Sequence, residues 1–246
     1  MKKRMNKDIC VIVPCFNEED NILNVLDDLS FHLPGCCIVV INDASTDASA
    51  KKVSQSPLAE LISLPCNLGI GGTVQTGLKY AARHGFKYAV KFDGDGQHKA
   101  SEIAPLMKPV LDGTADVSIG SRFIGTGEGF QSTLPRRIGI GIFRILNSLL
   151  IGQTVTDNTS GFRAYNEHAL NFLARHYPSF DYPEPEEVVL LGRNGFRITE
   201  VSTPMEARNG GVSSINAMKS VYYMIKVILA ILMVSIRPKL RRHKHV

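Results

Sequence analysis

A chain of 246 residues, 44% of them hydrophobic, is long enough for one large α/β domain with a real core. Its formal charge of +5 resides in residues 237–246, which hold five Lys or Arg and no acid; the neutral remainder argues against a nucleic-acid partner, and the basic tail points to anionic lipid. The five cysteines, Cys10, Cys15, Cys36, Cys37 and Cys66, show no C-x-x-C spacing, which argues against a disulfide frame or a zinc site.

The basic and polar residues 1–8 precede only six residues of apolar strand, too short for the core of a signal peptide, so the chain is expected to remain in the cytoplasm. Short β-rich runs at 9–14, 37–42, 58–64, 88–92 and 116–119 then alternate with helical patterns at 18–31, 46–54, 72–84 and 101–111. This alternation predicts right-handed crossovers and a mainly parallel sheet with helices on both faces. Ligands of such sheets gather at the carboxyl ends of the strands, where the polar motifs of this chain sit. The second half is less regular: a Gly-rich loop at 125–130, a helix at 136–150, a short segment at 160–165, a helix at 186–193 and a strand at 196–201. Residues 215–236 read as an apolar helix broken by Lys219 and Lys226, barely long enough to cross a bilayer. Its apolar residues cover nearly all faces and a basic cluster follows, which favours membrane contact, flat or spanning, over a core helix.

In Phe92-Asp93-Gly94-Asp95-Gly96-Gln97-His98 two carboxylates two residues apart leave a strand end and can point to one side. Asp93, Asp95 and the Gln97 oxygen suit a hard cation, magnesium or manganese. A Gly-rich turn stabilised by its own Asp side chains is the bland alternative, but carboxylates closing a buried central strand are costly without a cation. In Asn42-Asp43-Ala44-Ser45-Thr46-Asp47, Ser45 or Thr46 can cap the next helix, whereas Asp43 faces the strand-end crevice and could accept a hydrogen bond from a base N–H. The run Asn67-Leu68-Gly69-Ile70-Gly71-Gly72-Thr73 approximates a dinucleotide fingerprint, yet position 74 is Val and the run follows the third strand, so a nicotinamide dehydrogenase is a distant alternative. A tight turn and helix start that lets backbone approach a nucleotide explains the glycines.

Together with Val13-Pro14-Cys15-Phe16-Asn17-Glu18-Glu19, Gly120-Ser121-Arg122, Ser160-Gly161-Phe162-Arg163 and Arg208-Asn209-Gly210-Gly211-Val212-Ser213, these motifs stand in the order seen in family-two GT-A glycosyltransferases. Over about residues 9–214 the chain most resembles the branch of dolichyl-phosphate mannose synthase and bacterial polyprenyl-phosphate glycosyltransferases. The resemblance implies that Pro14, Asn17, Glu18 and Asp43 line the nucleotide pocket, with Asp43 reading the base and Gly71 also at the cofactor. It implies that Asp93 sits by the ribose or the metal, and that Asp95 and Gln97 hold the metal against the diphosphate. Arg122, one of Arg136 and Arg137, and Arg208 match positions that contact phosphate, a role that the always-charged guanidinium fork suits. The alternative for each is a surface ion pair, and Arg163 has a weaker case because its motif can simply turn the chain.

The chain departs from the family pattern in two places. Hydroxyl-directed relatives carry an acidic pair on a late helix, one member being the base; here the region reads Glu184-Pro185-Glu186-Glu187, and Glu186 aligns with the single Glu of the lipid-phosphate branch. The C-terminus holds one marginal helix where relatives have two or more, which implies a small integral membrane partner.

The expected fold is therefore α/β, the Rossmann-like GT-A fold of nucleotide-diphospho-sugar transferases, in a domain over 1–214, with a membrane-associated helix and tail over 215–246. The expected activity is inverting, magnesium- or manganese-dependent transfer from a UDP- or GDP-sugar donor to a polyprenyl phosphate at the cytoplasmic membrane surface. The alternatives are transfer to a saccharide or glycolipid hydroxyl, and a catalytically silent membrane adaptor that keeps the fold.

Overall fold

The computed structural model describes residues 6–124, 141, 145, 148–179, 183–204, 228–229, 231–236 and 238–240. Strands β1 (Ile9–Cys15), β2 (Cys37–Asn42), β3 (Glu60–Ser63) and β4 (Tyr88–Lys91) alternate with helices α1 (Ile22–His32), α2 (Ser49–Ser54) and α3 (Gly69–Arg83). Helix α4 (Ile103–Leu111) leads to β5 (Val117–Ser121). Then follow β6 (Arg163–Asn166), α5 (Glu167–His176), α6 (Glu184–Arg193) and β7 (Ile198–Ser202).

The strands form one sheet in the order β3-β2-β1-β4-β6-β5-β7. Pairings among the first four and between β5 and β7 are parallel, while β6 runs antiparallel to both β4 and β5. The sheet is thus mixed, with β6 the strand that runs against its neighbours. Every residue of β1 is buried. Cys10 and Ile12 join the core under α3 and α5, while Val11 and Val13 join the one under α1 and α4. A strand covered on both faces reads as a continuous apolar run. Helix α3 lies so close to β1 that a Cβ on Gly77 would stand 2.2 Å from Ile12 Cγ2.

Several boundaries differ from the sequence expectation. Helix α1 starts at Ile22, since Glu18 accepts the amides of Asn21 and Ile22 in a turn before it. Helix α2 starts at Ser49, and it is Asp47, not Ser45 or Thr46, that bonds the Ser49 amide. Helix α5, absent from the sequence reading, begins where the Asn166 side chain accepts the Ala169 amide. Of the expected 136–150 helix, residues 141, 145 and 148–150 are helical. Most of the expected 215–236 helix lies outside the described residues; 228–229 and 231–236 are helical, and Ile231 and Val234 are buried in the main core. Among the described residues no helix is long and apolar enough to cross a membrane.

Candidate active site

The loops at the carboxyl ends of β1, β2 and β4 surround a cleft of about 400 Å³ walled by Pro14, Phe16, Glu18, Asp43, Asp93 and Asp95. Gly69, Ile70 and Thr73 of α3 complete one side. The loops are tied by side chains that accept from backbone. Asn17, at φ +55°, donates its amide to Ser45 Oγ at 3.0 Å, and its Oδ1 accepts the Thr46 amide at 2.9 Å. Ala44 also has a positive φ, 58°, a conformation that costs a residue with a Cβ and persists only where the surroundings impose it. Asp47 Oδ2 accepts the Glu19 amide, and Glu19 Oε2 accepts the Ala48 amide in return. Asp43, 4% exposed, receives the Leu68 amide on Oδ1 at 2.7 Å and the Gly69 amide on Oδ2 at 2.9 Å. Its carboxylate thus fixes the glycine turn that opens α3, with Gly69 at φ +75°.

After β4 the chain turns through Gly94 and Gly96. A Cβ on Gly94 would stand 2.9 Å from the Pro14 carbonyl oxygen, so the close approach of the two loops requires glycine. Asp93 and Asp95 are both half-buried and both on the cleft wall; Asp95 Oδ1 accepts the Gln97 amide at 3.1 Å. Among the described residues the cleft wall carries four carboxylates, Glu18, Asp43, Asp93 and Asp95, and no Lys or Arg. His98 is buried and stacks on Phe162 with ring centroids 4.7 Å apart. Burial holds its imidazole below the usual histidine value, against the pull of Asp93.

Behind Asp93 the site changes character. Lys91, 1% exposed, lies 2.6 Å from Glu184 Oε1 at the start of α6. Burial opposes its charge, but Glu184 and then Asp93 outweigh that and lift it above the ordinary lysine value; burial likewise opposes Glu184, which Lys91 and Arg163 pull below the carboxylate range. Arg163, fully buried, stands 3.0 Å from Glu187, whose Oε1 also accepts the Tyr165 hydroxyl at 2.9 Å. The remaining Arg163 nitrogens donate to the carbonyls of Ser160, Asn158 and Glu184. Arg122 grips Asp157 with both arms of its fork, at 2.7 and 2.6 Å, and reaches Thr159. Glu200 in turn holds the Thr156 and Asp157 amides.

A family model described as Glycosyl transferase family 2 matches residues 10–173. The chain belongs to glycosyltransferase family 2. A Methanococcus voltae UDP-N-acetylglucosamine–dolichyl-phosphate N-acetylglucosaminyltransferase is 30% identical over 80% of this chain and 84% of the relative. A Mycolicibacterium smegmatis polyprenol monophosphomannose synthase is 26% identical over 88% of this chain and 84% of its own. These names bear out the resemblance to the polyprenyl-phosphate branch. A glucosyl-3-phosphoglycerate synthase of Mycobacterium tuberculosis, solved with Mn2+, UDP and phosphoglyceric acid, superposes with a TM-score of 0.69 over 97% of this chain and 84% of that one at 19% identity, a likeness of fold. The fold is GT-A, with a mixed, mostly parallel sheet.

Within this family-two site, Pro14, Glu18, Asp43, Asp93 and Asp95 share one cleft, whereas three other sequence expectations change. The Asn17 side chain is turned into the Ser45-Thr46 loop, since its oxygen is taken by Thr46. Gly71 is buried inside α3, whose neighbours Gly69, Ile70 and Thr73 form the wall. Arg122 is closed on Asp157. Arg136, Arg137 and Arg208 lie outside the described residues. Sequence reasoning missed Lys91 and Asp157, because an ion pair has no local signature. It also missed Phe16, an exposed aromatic ring on the cleft wall that its place directly after a buried strand could have flagged. Among the described residues no three His, Cys, Asp or Glu side chains are grouped to hold a metal, and Gln97, the third expected donor, is half-buried but is not among the residues of the cleft wall.

Proposed function

We propose that this glycosyltransferase moves a sugar from a UDP- or GDP-sugar to a polyprenyl phosphate, with inversion, at the cytoplasmic face of a membrane. Residues 1–214 carry the chemistry and 215–246 the membrane contact. One observation carries the acceptor assignment. Of the three glutamates that open α6, Glu184 is held as the counter-ion of Lys91 and Glu187 as that of Arg163. A carboxylate pinned by a buried cation is a poor general base, and a phosphate monoester, with its second pKa near 6, is largely ionised at neutral pH and needs none. The activities for which the Methanococcus and Mycolicibacterium relatives are named support the same class.

The donor assignment rests on the cleft. Phe16 and Ile70 offer apolar surface to a base, and four carboxylates repel a diphosphate unless a cation intervenes. Asp93, Asp95 and Gln97 would hold magnesium or manganese, which neutralises charge growing on the departing nucleoside diphosphate. The fold neighbours solved with UDP and Mn2+ or Mg2+ support this. Asp43 then acts chiefly by fixing the Leu68-Gly69 turn beside the base.

The test is a panel of UDP- and GDP-sugars with polyprenyl phosphate in detergent, with manganese or EDTA. Transfer is expected from one donor, only with metal. Glu186→Gln should then lower the rate modestly and Arg208→Ala strongly. A general-base loss of about 100-fold to 10,000-fold at Glu186, with a mild effect at Arg208, would move the acceptor to a hydroxyl. Absence of transfer from every donor, with UDP and GDP unbound in manganese, would favour the silent adaptor.

A further inference from the structure

At the far end of α6 from the glutamates, a cavity of about 340 Å³ opens between the carboxyl ends of α5 and α6, Val234 and residues 238–240. Arg175, His176, Arg193 and Lys239 line it, over a floor that includes Leu190 and Val234, and no acid among the described residues lines it. Among the described residues none of these cations has a carboxylate partner; Arg193 donates to the Val234 carbonyl at 3.1 Å, and the Leu240 amide donates to Asn194 at 2.8 Å, which ties the last segment to α6. Burial and then the charge of Arg175 hold His176 below its usual value. Cations at helix carboxyl ends complement the helix dipole. That accounts for Arg175, His176 and Arg193, though not for the convergence of Lys239 on the same cavity.

The adjoining helical residues supply a second observation. Ile231 and Val234 are buried in the core, at 0% and 4% exposure, while Leu229, Leu232, Met233 and Ile236 are exposed at 57%, 40%, 62% and 81%. Their spacing of three, four and seven puts them on one face. A helix resting on its own domain ordinarily turns polar residues outward; here the four most exposed side chains of 228–229 and 231–236 are all apolar, and the half-buried Ser235 spends its hydroxyl on the Leu232 carbonyl.

We propose that this surface docks on an anionic phospholipid bilayer, with the helix lying flat, its apolar stripe at the acyl boundary, and a lipid headgroup phosphate in the Arg175–Arg193–Lys239 cavity. Apolar stripe and flanking cations are the two terms of interfacial binding. A second copy of the chain would set cation against cation, and a free phosphate leaves the stripe unexplained. Arg241, Arg242 and Lys244 continue the positive charge in the sequence. From Glu186 to Arg193 the helix rises about 10 Å, so a lipid held here lies close to the proposed acceptor site without entering it.

The test is flotation of the full chain with vesicles of phosphatidylcholine alone or with phosphatidylglycerol added, without donor or acceptor, so that it is separable from the transferase reading. The chain should favour the anionic vesicles. Arg175→Gln and Lys239→Gln should each weaken that binding about fivefold and leave binding to neutral vesicles unchanged. Ile236→Ser should weaken binding to both kinds by roughly tenfold. These side chains are exposed, and unaltered melting of each variant checks the fold. The proposal fails if the charge variants bind as wild type does, or if millimolar inorganic phosphate strips the chain from vesicles, which would mark a free-anion site. It also fails if Ile236→Ser leaves flotation intact and dissolves a dimer on gel filtration.

Discussion

The parallel half of the sheet, β3-β2-β1-β4, and the mixed half, β6-β5-β7, meet at the site but are organised by different chemistry. In the parallel half, acids serve backbone: Asp43, Asp47 and Glu19 each hold amides of a neighbouring loop. In the mixed half and at its seam with β4, the buried acids Glu184, Glu187 and Asp157 neutralise Lys91, Arg163 and Arg122, while Glu200 holds backbone amides. Among the described residues the first arrangement leaves a cleft with carboxylates and no Lys or Arg, and the second leaves an internally neutral wall. The metal proposed for the donor side would supply the positive charge that its described residues lack. The other side depends on its buried pairs for shape more than for stability, since such pairs roughly break even against apolar replacements but cost dearly when halved.

The largest expected effect lies on the donor side. Asp95→Ala should abolish transfer, at least 100-fold to 1000-fold or about 3–4 kcal/mol of barrier, while leaving the urea midpoint near wild type. UDP binding that in wild type requires manganese should be lost in the variant. Wild-type activity in EDTA would break the comparison at its root. On the other side the ranking turns over, because Arg163→Ala strands Glu187 in a fully buried position. About 3–5 kcal/mol of stability should go, read as a lowered urea midpoint with unchanged slope.

What could be read from sequence follows the same division. The parallel half was legible because its central strands β1 and β2 are apolar on both faces, and β2 was expected at 37–42, as observed. The Asp93-Gly94-Asp95 turn announces itself within seven residues. Lys91 and Glu184, by contrast, are 93 residues apart and meet only through the antiparallel insertion of β6, so neither carried a local signal. Helix α5 was missed although Asn166 followed by Glu167, with Ala169, Leu170, Phe172 and Leu173 behind them, is a helix-start pattern. Arg122 had a phosphate-contact motif in the sequence, but its partner Asp157 stands 35 residues on.

The seam between the halves offers a middle-sized test. A Cβ on Gly161 would stand 2.9 and 3.2 Å from the two Asp93 carboxylate oxygens and 3.3 Å from Lys91 Nζ. Gly161→Ala should therefore push the Asp93 carboxylate aside. A displacement of about 1 Å at a reacting group can cost up to roughly 100-fold, so kcat/KM should fall about 10-fold to 100-fold with little loss of melting temperature. An inert Gly161→Ala would show that Asp93 need not hold its place, and would leave Asp95 as the carboxylate that matters.

The smallest effect is the response to acid, and its salt dependence separates buried from exposed pairs. Burial would raise Asp157, but hydrogen bonds and charge from Arg122 hold it below the ordinary carboxylate value, and Glu184 is held low by Lys91 in the same way. At pH values around and below about 3.9–4.3, the unfolded chain takes up protons that the native state refuses. The stability these groups lend is then fully present near neutrality and is lost as pH falls through that window and on toward their lowered native values. In Arg122→Met the guanidinium is gone, and only the residue-122 amide and Thr159 still pull Asp157 down against burial, so its native value should rise toward the unfolded one. Its contribution to the slope then shrinks, and the variant should lose less stability on going from neutral pH to acid than wild type does. Urea midpoints measured from pH 7 down to pH 3 for both proteins would show the difference in slope. Asp116 is also lowered, with burial opposing and Arg197 prevailing, but Arg197 is 57% exposed at its side chain, so added salt should erase that part of the slope and leave the Asp157 part standing.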